Sequence, residues 1–234
     1  MSGMWSLARF RDNCAIMNPI LQFESYVTLL GAGECAASDL AQALELAPVL
    51  VAADGGADRA LRAGLVPDAV IGDLDSISDQ ARDRIPADRL IHISEQDSTD
   101  FDKALRSVGA PLVLALGMLG PRADHMLAGL NVLVGHPDRR CILVSHSDVV
   151  FLAPPRLDLT LPPGARVSLF PMAPVRGTST GLDWPIDGLE FRPGDRIGTS
   201  NRCTDGQVSL TFESPVMLVL LDRAELGAVI AALV

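Results

Sequence analysis

Val49-Leu50-Val51-Ala52-Ala53-Asp54-Gly55-Gly56 is the stretch that decides the fold class. Five apolar residues run without a polar alternate, so a strand here has both faces covered, as in the parallel sheets of α/β proteins. An acid and two glycines then close it. The same cadence recurs in both directions. Apolar runs at 26–30, 69–71, 90–93, 112–116 and 141–144 are separated by amphipathic segments of helical length. Ser38-Asp39, Ser78-Asp79 and Thr99-Asp100 read as helix N-caps followed by first-turn acids. This rhythm predicts a mostly parallel, Rossmann-like sheet with flanking helices, whose binding crevice lies beyond the carboxyl ends of its strands.

Ala153-Pro154-Pro155 and Pro162-Pro163-Gly164 punctuate the chain, and the pattern changes after them. Short runs at 166–170, 188–191, 207–212 and 216–221 are separated by Gly, Pro, Asp and Asn, which predicts a small antiparallel β-sandwich. The tail, 222–234, reads as a closing helix. The expected division is a leader at 1–19, an α/β domain at 20–153 and a β domain at 154–234.

Composition removes several classes of function. The formal net charge is −10, with no basic stripe to follow phosphates, which argues against nucleic acid as a partner. The longest apolar stretch, 111–119, is far short of the roughly 20 residues needed to cross a bilayer. Cys14, Cys35, Cys141 and Cys203 are scattered, with no C-x-x-C pair, as expected of a chain in a reducing compartment. Arg9, Arg11 and Asp12 interrupt the N-terminal apolar run, so no secretory signal is legible and a cytoplasmic location is expected.

Polar chemistry gathers where the predicted strands end. The first is followed by Gly31-Ala32-Gly33, the second by Asp54-Gly55-Gly56, the third by Gly72-Asp73-Leu74-Asp75-Ser76. Gln96-Asp97-Ser98-Thr99-Asp100 follows the fourth, and Gly117 to His125 the fifth. Asp73 and Asp75 are two apart, so an extended backbone points both carboxylates to one side. Such a pair suits Mg²⁺, which takes one or two carboxylates plus phosphate oxygens, with Asp54 and Asp100 adding to the set. Lys103 is the single lysine beside eighteen arginines. A compact ammonium there suits charge on a phosphoryl group in a way the planar guanidinium does not, and Arg122 is a second cation in reach of the strand ends. Gly31, Gly33, Gly55 and Gly56 permit close backbone approach with amides free for phosphate oxygens. Thr99-Asp100 opens a helix, whose positive end faces the crevice.

In this order the clusters resemble the thiamine pyrophosphokinase family. The likeness rests on Asp54-Gly55-Gly56-Ala57, Pro67-Asp68 before Gly72-Asp73-Leu74-Asp75-Ser76, and Gln96-Asp97-Ser98-Thr99-Asp100 with Lys103-Ala104-Leu105. Arg122-Ala123-Asp124-His125, Gly181-Leu182-Asp183-Trp184 and Thr199-Ser200-Asn201 complete it. The resemblance implies Mg²⁺-dependent transfer of an intact diphosphate from ATP to the hydroxyl of thiamine, leaving AMP. It implies a nucleotide-binding catalytic domain at 20–153, a thiamine-binding domain at 154–234, and a homodimer with thiamine at the subunit interface. By position, Asp73, Asp75 and Asp100 would hold Mg²⁺ and the phosphates, and Lys103 and Asp124 would complete the catalytic set. Gly31, Gly33, Asp54, Gly55, Gly56, Gln96, Thr99 and Arg122 would meet ATP; Trp184, Ser200 and Asn201 would meet thiamine. An indole also suits a cationic aromatic ring on its own chemistry, although the same indole could instead plug the β core. Pro121, Asp183 and Pro185 depart from the family pattern; Pro121 removes one amide donor before Arg122.

Two other readings stay open at this level. Gly31-Ala32-Gly33-Glu34-Cys35-Ala36 after a first strand, with Asp54 about 20 residues on, matches the fingerprint of an NAD(P)-dependent oxidoreductase. A diphosphokinase for a related acceptor, such as a hydroxymethylpterin, would use the same acids.

Overall fold

The computed structural model describes residues 19–234, so all but the last residue of the expected leader lies outside the described residues. In chain order the first part comprises β1 (Leu21–Gln22), β2 (Val27–Leu30), α1 (Ala37–Leu46), β3 (Val49–Ala53), α2 (Gly56–Arg62) and β4 (Ala69–Gly72). There follow α3 (Asp79–Arg84), β5 (Leu90–His92), α4 (Asp100–Ser107), β6 (Val108–Gly109), β7 (Val113–Leu116), α5 (Ala123–Gly135), β8 (Cys141–Val144) and β9 (Asp148–Leu152). The rest is β10 (Arg156–Thr160), β11 (Arg166–Pro171), β12 (Val175–Thr180), β13 (Glu190–Phe191), β14 (Gly198–Arg202), β15 (Gln207–Phe212), β16 (Met217–Asp222) and α6 (Leu226–Leu233).

The principal sheet has ten strands in the order β14-β11-β16-β9-β8-β7-β2-β3-β4-β5. From β8 to β5 every pairing is parallel. Every residue of β2, β4, β7 and β8 is buried; the one hydroxyl among them, that of Thr28, donates to the Ala47 carbonyl at 2.7 Å. The chain passes from β2 outward to β5 and then crosses back to β7 on the other side of β2, so the strand order reverses between β2 and β7. In open α/β sheets that reversal marks the ligand crevice.

The sheet does not stop where a separate β domain was expected to begin. Ser145 and Asp148 close a tight hairpin, with the Asp148 amide 2.9 Å from the Ser145 hydroxyl and the Ser145 amide 2.9 Å from the Asp148 carbonyl. So short a link can join only antiparallel neighbours, and β9 turns the sheet from parallel to antiparallel. β16, β11 and β14 then continue the same ladder. The fold is therefore α/β with a mixed sheet. The remaining strands form a second, antiparallel sheet, β10-β15-β12-β13. Leu157, Leu159, Val208 and Leu210 on its inner face share one apolar cluster with Phe151, Leu169 and Val219 of the large sheet and with Leu226 and Val229 of α6. Among the described residues no helix is long and apolar enough to cross a membrane.

Candidate functional site

Three strand ends on the parallel side build an acidic patch. Asp54 follows β3 and lies beside Gly72, the last residue of β4. A Cβ on Gly72 would come within 2.8 Å of the Asp54 Cβ, so only glycine lets the two strand ends close. Asp54 is 2 % exposed, its backbone is left-handed (φ 42°), and its Oδ1 is buried without a hydrogen-bond partner. Burial raises its pKa; a hydrogen bond with Ser76 opposes the shift, and Asp100, Asp73 and Asp75 add to it.

Asp73 and Asp75 flank Leu74, which is also left-handed (φ 62°). The turn is tied by the Asp75 amide to Asp73 Oδ1 (3.2 Å) and by Ser76 Oγ to Asp75 Oδ1 (2.9 Å). Oxygens of Asp54, Asp73 and Asp75 all lie within 4.8 Å of one another. The Gln96 amide donates to Asp73 Oδ2 at 2.9 Å; that bond, the Asp75 amide and Lys103 hold the Asp73 carboxyl down to about 2.

Lys103 enters from α4. Thr99 caps this helix by accepting from the Asp102 amide at 3.2 Å, which sets its first turn against the acids. Lys103 is 1 % exposed, and its Nζ lies 3.4 Å from both Asp73 and Asp100. Burial opposes its charge, but Asp100 and Asp73 outweigh that and raise its pKa, so it is an ammonium at neutral pH. Asp100 is shifted up, by burial first, with Lys103 opposing and Asp73 and Asp75 assisting. It is not in the tight group of three; Asp54, expected only to assist, is.

A buried carboxylate oxygen with no partner, beside two further carboxylates, is unfavourable unless a cation completes it. An all-oxygen set on a rigid turn fits a hard divalent ion such as Mg²⁺. The sequence reading missed what holds this arrangement. Arg106, one turn past Lys103, donates to Asp102 (2.8 Å), Glu95 (2.7 Å) and Ser98 (3.1 Å), and Asp102 also meets His136 at 2.8 Å. Arg106 thus pins the segment that carries Gln96 and Thr99. The four-residue spacing of Asp102 and Arg106 was the visible signal; Glu95 and His136 carried none.

The glycines serve backbone closeness first. A Cβ on Gly33 would lie 2.2 Å from the Gly117 carbonyl oxygen, and one on Gly56 2.0 Å from that of Leu30. The Gly31 amide, expected to be free, donates to the Leu116 carbonyl at 2.8 Å. Arg59 of α2 donates to the carbonyls of Ala32 and Cys35, bracing the 31–36 loop. That loop links the acids, where Ala32 packs near Gly55, to a cleft of about 560 Å³ lined by Cys35, Asp39, Leu119, Met126, Leu130 and His146. Arg122 and Asp124 stand exposed at the start of α5, paired at 2.7 Å.

Trp184, Ser200 and Asn201 lie elsewhere. Asn201 is buried on β14; its Oδ1 accepts from the Trp184 amide (3.1 Å) and its Nδ2 donates to the Trp184 carbonyl (2.7 Å). Trp184 is 55 % exposed, and its indole plugs no core. Arg202, which the sequence reading passed over, lies over the ring at 5.5 Å from its centroid. Ser200 is left-handed (φ 62°), its amide held by the Ser168 hydroxyl. Among the described residues three non-glycines have positive φ, and all three fall in these candidate segments. β14 and β4 are eight strand spacings apart, about 38 Å along the sheet at roughly 4.8 Å each.

The fold and the site define an α/β protein with an acidic crevice at the carboxyl ends of its parallel strands. Comparison with known proteins is more specific. Residues 40–144 match the model for the thiamin pyrophosphokinase catalytic domain, and residues 156–217 that for the thiamin pyrophosphokinase vitamin B1 binding domain. Thiamine pyrophosphokinase 2 of Arabidopsis thaliana is 30 % identical over 207 residues, covering 74 % of this chain and 78 % of the relative. The Bacillus subtilis (strain 168) thiamine pyrophosphokinase is 26 % identical over 182 residues, 73 % and 85 % of the two chains. The crystal structure of yeast thiamin pyrophosphokinase superposes with a TM-score of 0.69 at 17 % identity, over 89 % of this chain and 93 % of that one. The Bacillus subtilis structure gives 0.67 at 22 %, over 84 % and 98 %. The chain belongs to the thiamine pyrophosphokinase family, a family of enzymes. The dinucleotide and pterin alternatives find no support in these comparisons, and Asp54 is grouped with Asp73 and Asp75 instead of standing alone at a strand end.

Proposed function

We propose that this chain transfers diphosphate from ATP to the hydroxyl of thiamine, with Mg²⁺, giving thiamine diphosphate and AMP. The observation that carries this reading is the acid group itself: three converging carboxylates, one with a buried unpartnered oxygen, beside a sealed ammonium. Asp54, Asp73 and Asp75 would hold Mg²⁺, with Asp100 beside them; when bound, the ion neutralises phosphate oxygens that the bare carboxylates would repel. Lys103 and Arg122 add positive charge where the transferred group passes. Gln96 fixes Asp73, and the start of α4 at Thr99 turns its amides to the same place. Gly55 and Gly56 let the backbone come close, and the 31–36 loop with Gly31 and Gly33 leads from the phosphates to the 560 Å³ cleft, which has room for a nucleoside. In this reading catalysis is positioning plus electrostatics, with in-line attack of the hydroxyl on the β-phosphorus and Asp124 near that hydroxyl.

Trp184, Ser200 and Asn201 would receive thiamine. Their separation from the acids along the sheet supports a homodimer in which a second copy brings its Trp184 to this copy's acids, uniting a catalytic unit at 20–153 with a thiamine-binding unit at 154–234. The free thiols of Cys35, Cys141 and Cys203 suit a cytoplasmic setting.

The direct test is formation of AMP and thiamine diphosphate from ATP, Mg²⁺ and thiamine, with thiamine omitted as control. Equal amounts of both products, dependent on thiamine, are expected. ATP turnover that ignores thiamine, or yields ADP, would overturn the reading.

A further inference from the structure

The display of Trp184 carries a second observation. The Trp184 backbone is held by the two hydrogen bonds of the Asn201 side chain, and Asn201 Oδ1 also accepts from the Arg202 amide at 2.9 Å. The Asp183 amide donates to the Arg202 carbonyl at 2.9 Å, so 183–184 and 201–202 form one small clamp. Out of this clamp Arg202 sends its guanidinium over the indole and reaches Asp183, Nε to Oδ2, at 3.7 Å. One face of the exposed ring already bears a cation. The quadrupole of an indole attracts positive charge on either face, but two cations on opposite faces repel each other through the ring.

We propose that Arg202 and Asp183 set how strongly this chain takes a positively charged acceptor. Arg202 is the specificity-determining residue, opposing a cationic ring on the free face of Trp184. Asp183 is the counter-ion that masks it. The inference rests on the reading of Trp184 as the surface that thiamine stacks on. A guanidinium and a thiamine ring would face each other roughly 9 Å apart across the indole, in surroundings between water and a protein surface in polarity, which corresponds to roughly two- to fivefold in affinity. The Asp183 carboxylate offsets part of this, because it lies closer to the guanidinium than any acceptor could. Asp183 departs from the family pattern, and in this arrangement its charge is opposite to that of Arg202.

The test compares thiamine with a neutral thiophene isostere of thiamine. Arg202→Met should lower the KM for thiamine two- to fivefold, with the change in KM and not in kcat, and leave the inhibition constant of the neutral isostere unmoved. Asp183→Asn should raise the thiamine KM in either background, because the carboxylate attracts the cationic ring directly, and should leave the inhibition constant of the neutral isostere unmoved, a split that loss of fold would not produce. Added salt should shrink both effects. A thiamine KM unchanged or raised by Arg202→Met, or an equal shift for the neutral isostere, would overturn the inference. Trp184→Ala separates the two levels. If it raises the thiamine KM while Arg202→Met does not lower it, only the proposal about Arg202 falls. If Trp184→Ala leaves that KM unmoved, the placement of thiamine on Trp184 falls too.

Discussion

Asp54 combines a left-handed backbone, near-complete burial and a carboxylate oxygen with nothing to bond. Each is a cost of order 1 kcal/mol or more in the unliganded chain, and a site that must receive a divalent cation can be expected to carry them. Asn tolerates the left-handed region better and brings no charge. Asp54→Asn should therefore melt a few degrees higher than wild type without Mg²⁺, at about 2–4 °C per kcal/mol for a chain of this size. It should also lack the upward shift expected of the wild type when Mg²⁺ is added. The sign with pH follows from the raised pKa. An acid whose folded pKa lies above its unfolded one costs stability once ionised, so the advantage of the Asn variant should grow as pH rises from 4 to 7 and vanish in acid. Thermal melts with and without Mg²⁺ would show it. An Asp54→Asn protein less stable without metal would mean that the carboxylate is satisfied after all. Asp73 is the opposite case, held ionised to about 2 by donors already in place.

At the scale of elements, α4 carries Asp100 and Lys103, and Arg106 fastens the loop before it. Glu95 is held down to about 2 by Ser98 and then Arg106. A depressed carboxyl adds stability above its ordinary pKa and loses it as pH falls. The Tm gap between wild type and Arg106→Met should thus be full above about pH 5 and close as the pH drops below 4. With Gln96 and Thr99 loosened, diphosphoryl transfer should fall roughly ten- to hundredfold. Wild-type turnover in this variant would make the clamp a matter of stability alone.

The same scale shows what was legible beforehand. The parallel strands could be read within a residue or two, because burial on both faces writes an unbroken apolar run. Ser78 and Thr99 cap their helices as expected; α1 starts at Ala37 with no side-chain cap, and Ser38-Asp39 falls inside its first turn. β12 and β14, with sequences VRGTST and GTSNR, were not legible because only one face meets the core and their residues are almost all polar or glycine. The acids could be read from their spacing. The Arg202–Trp184 stack could not, since it depends on a bridge between Leu182 and Cys203 that no local pattern announces.

For the whole molecule, a sheet continuous from β5 to β14 puts the acids and the exposed indole near opposite ends. Two copies exchanging these ends would each complete the other. Asp73→Asn and Trp184→Ala chains, each defective at low thiamine, should recover about a quarter of wild-type activity when refolded together, since half the pairs would be mixed and each would hold one intact site of two. Absence of recovery would require the acceptor to be bound within one chain. The single lysine has another use at this scale. Lys103 is sealed beneath the acids, so amine-acylating reagents find no lysine side chain on the surface of the native protein. Acyl groups at Lys103 would appear only as the site opens, which makes their mass a built-in gauge of how often this crevice comes apart in solution or in a cell.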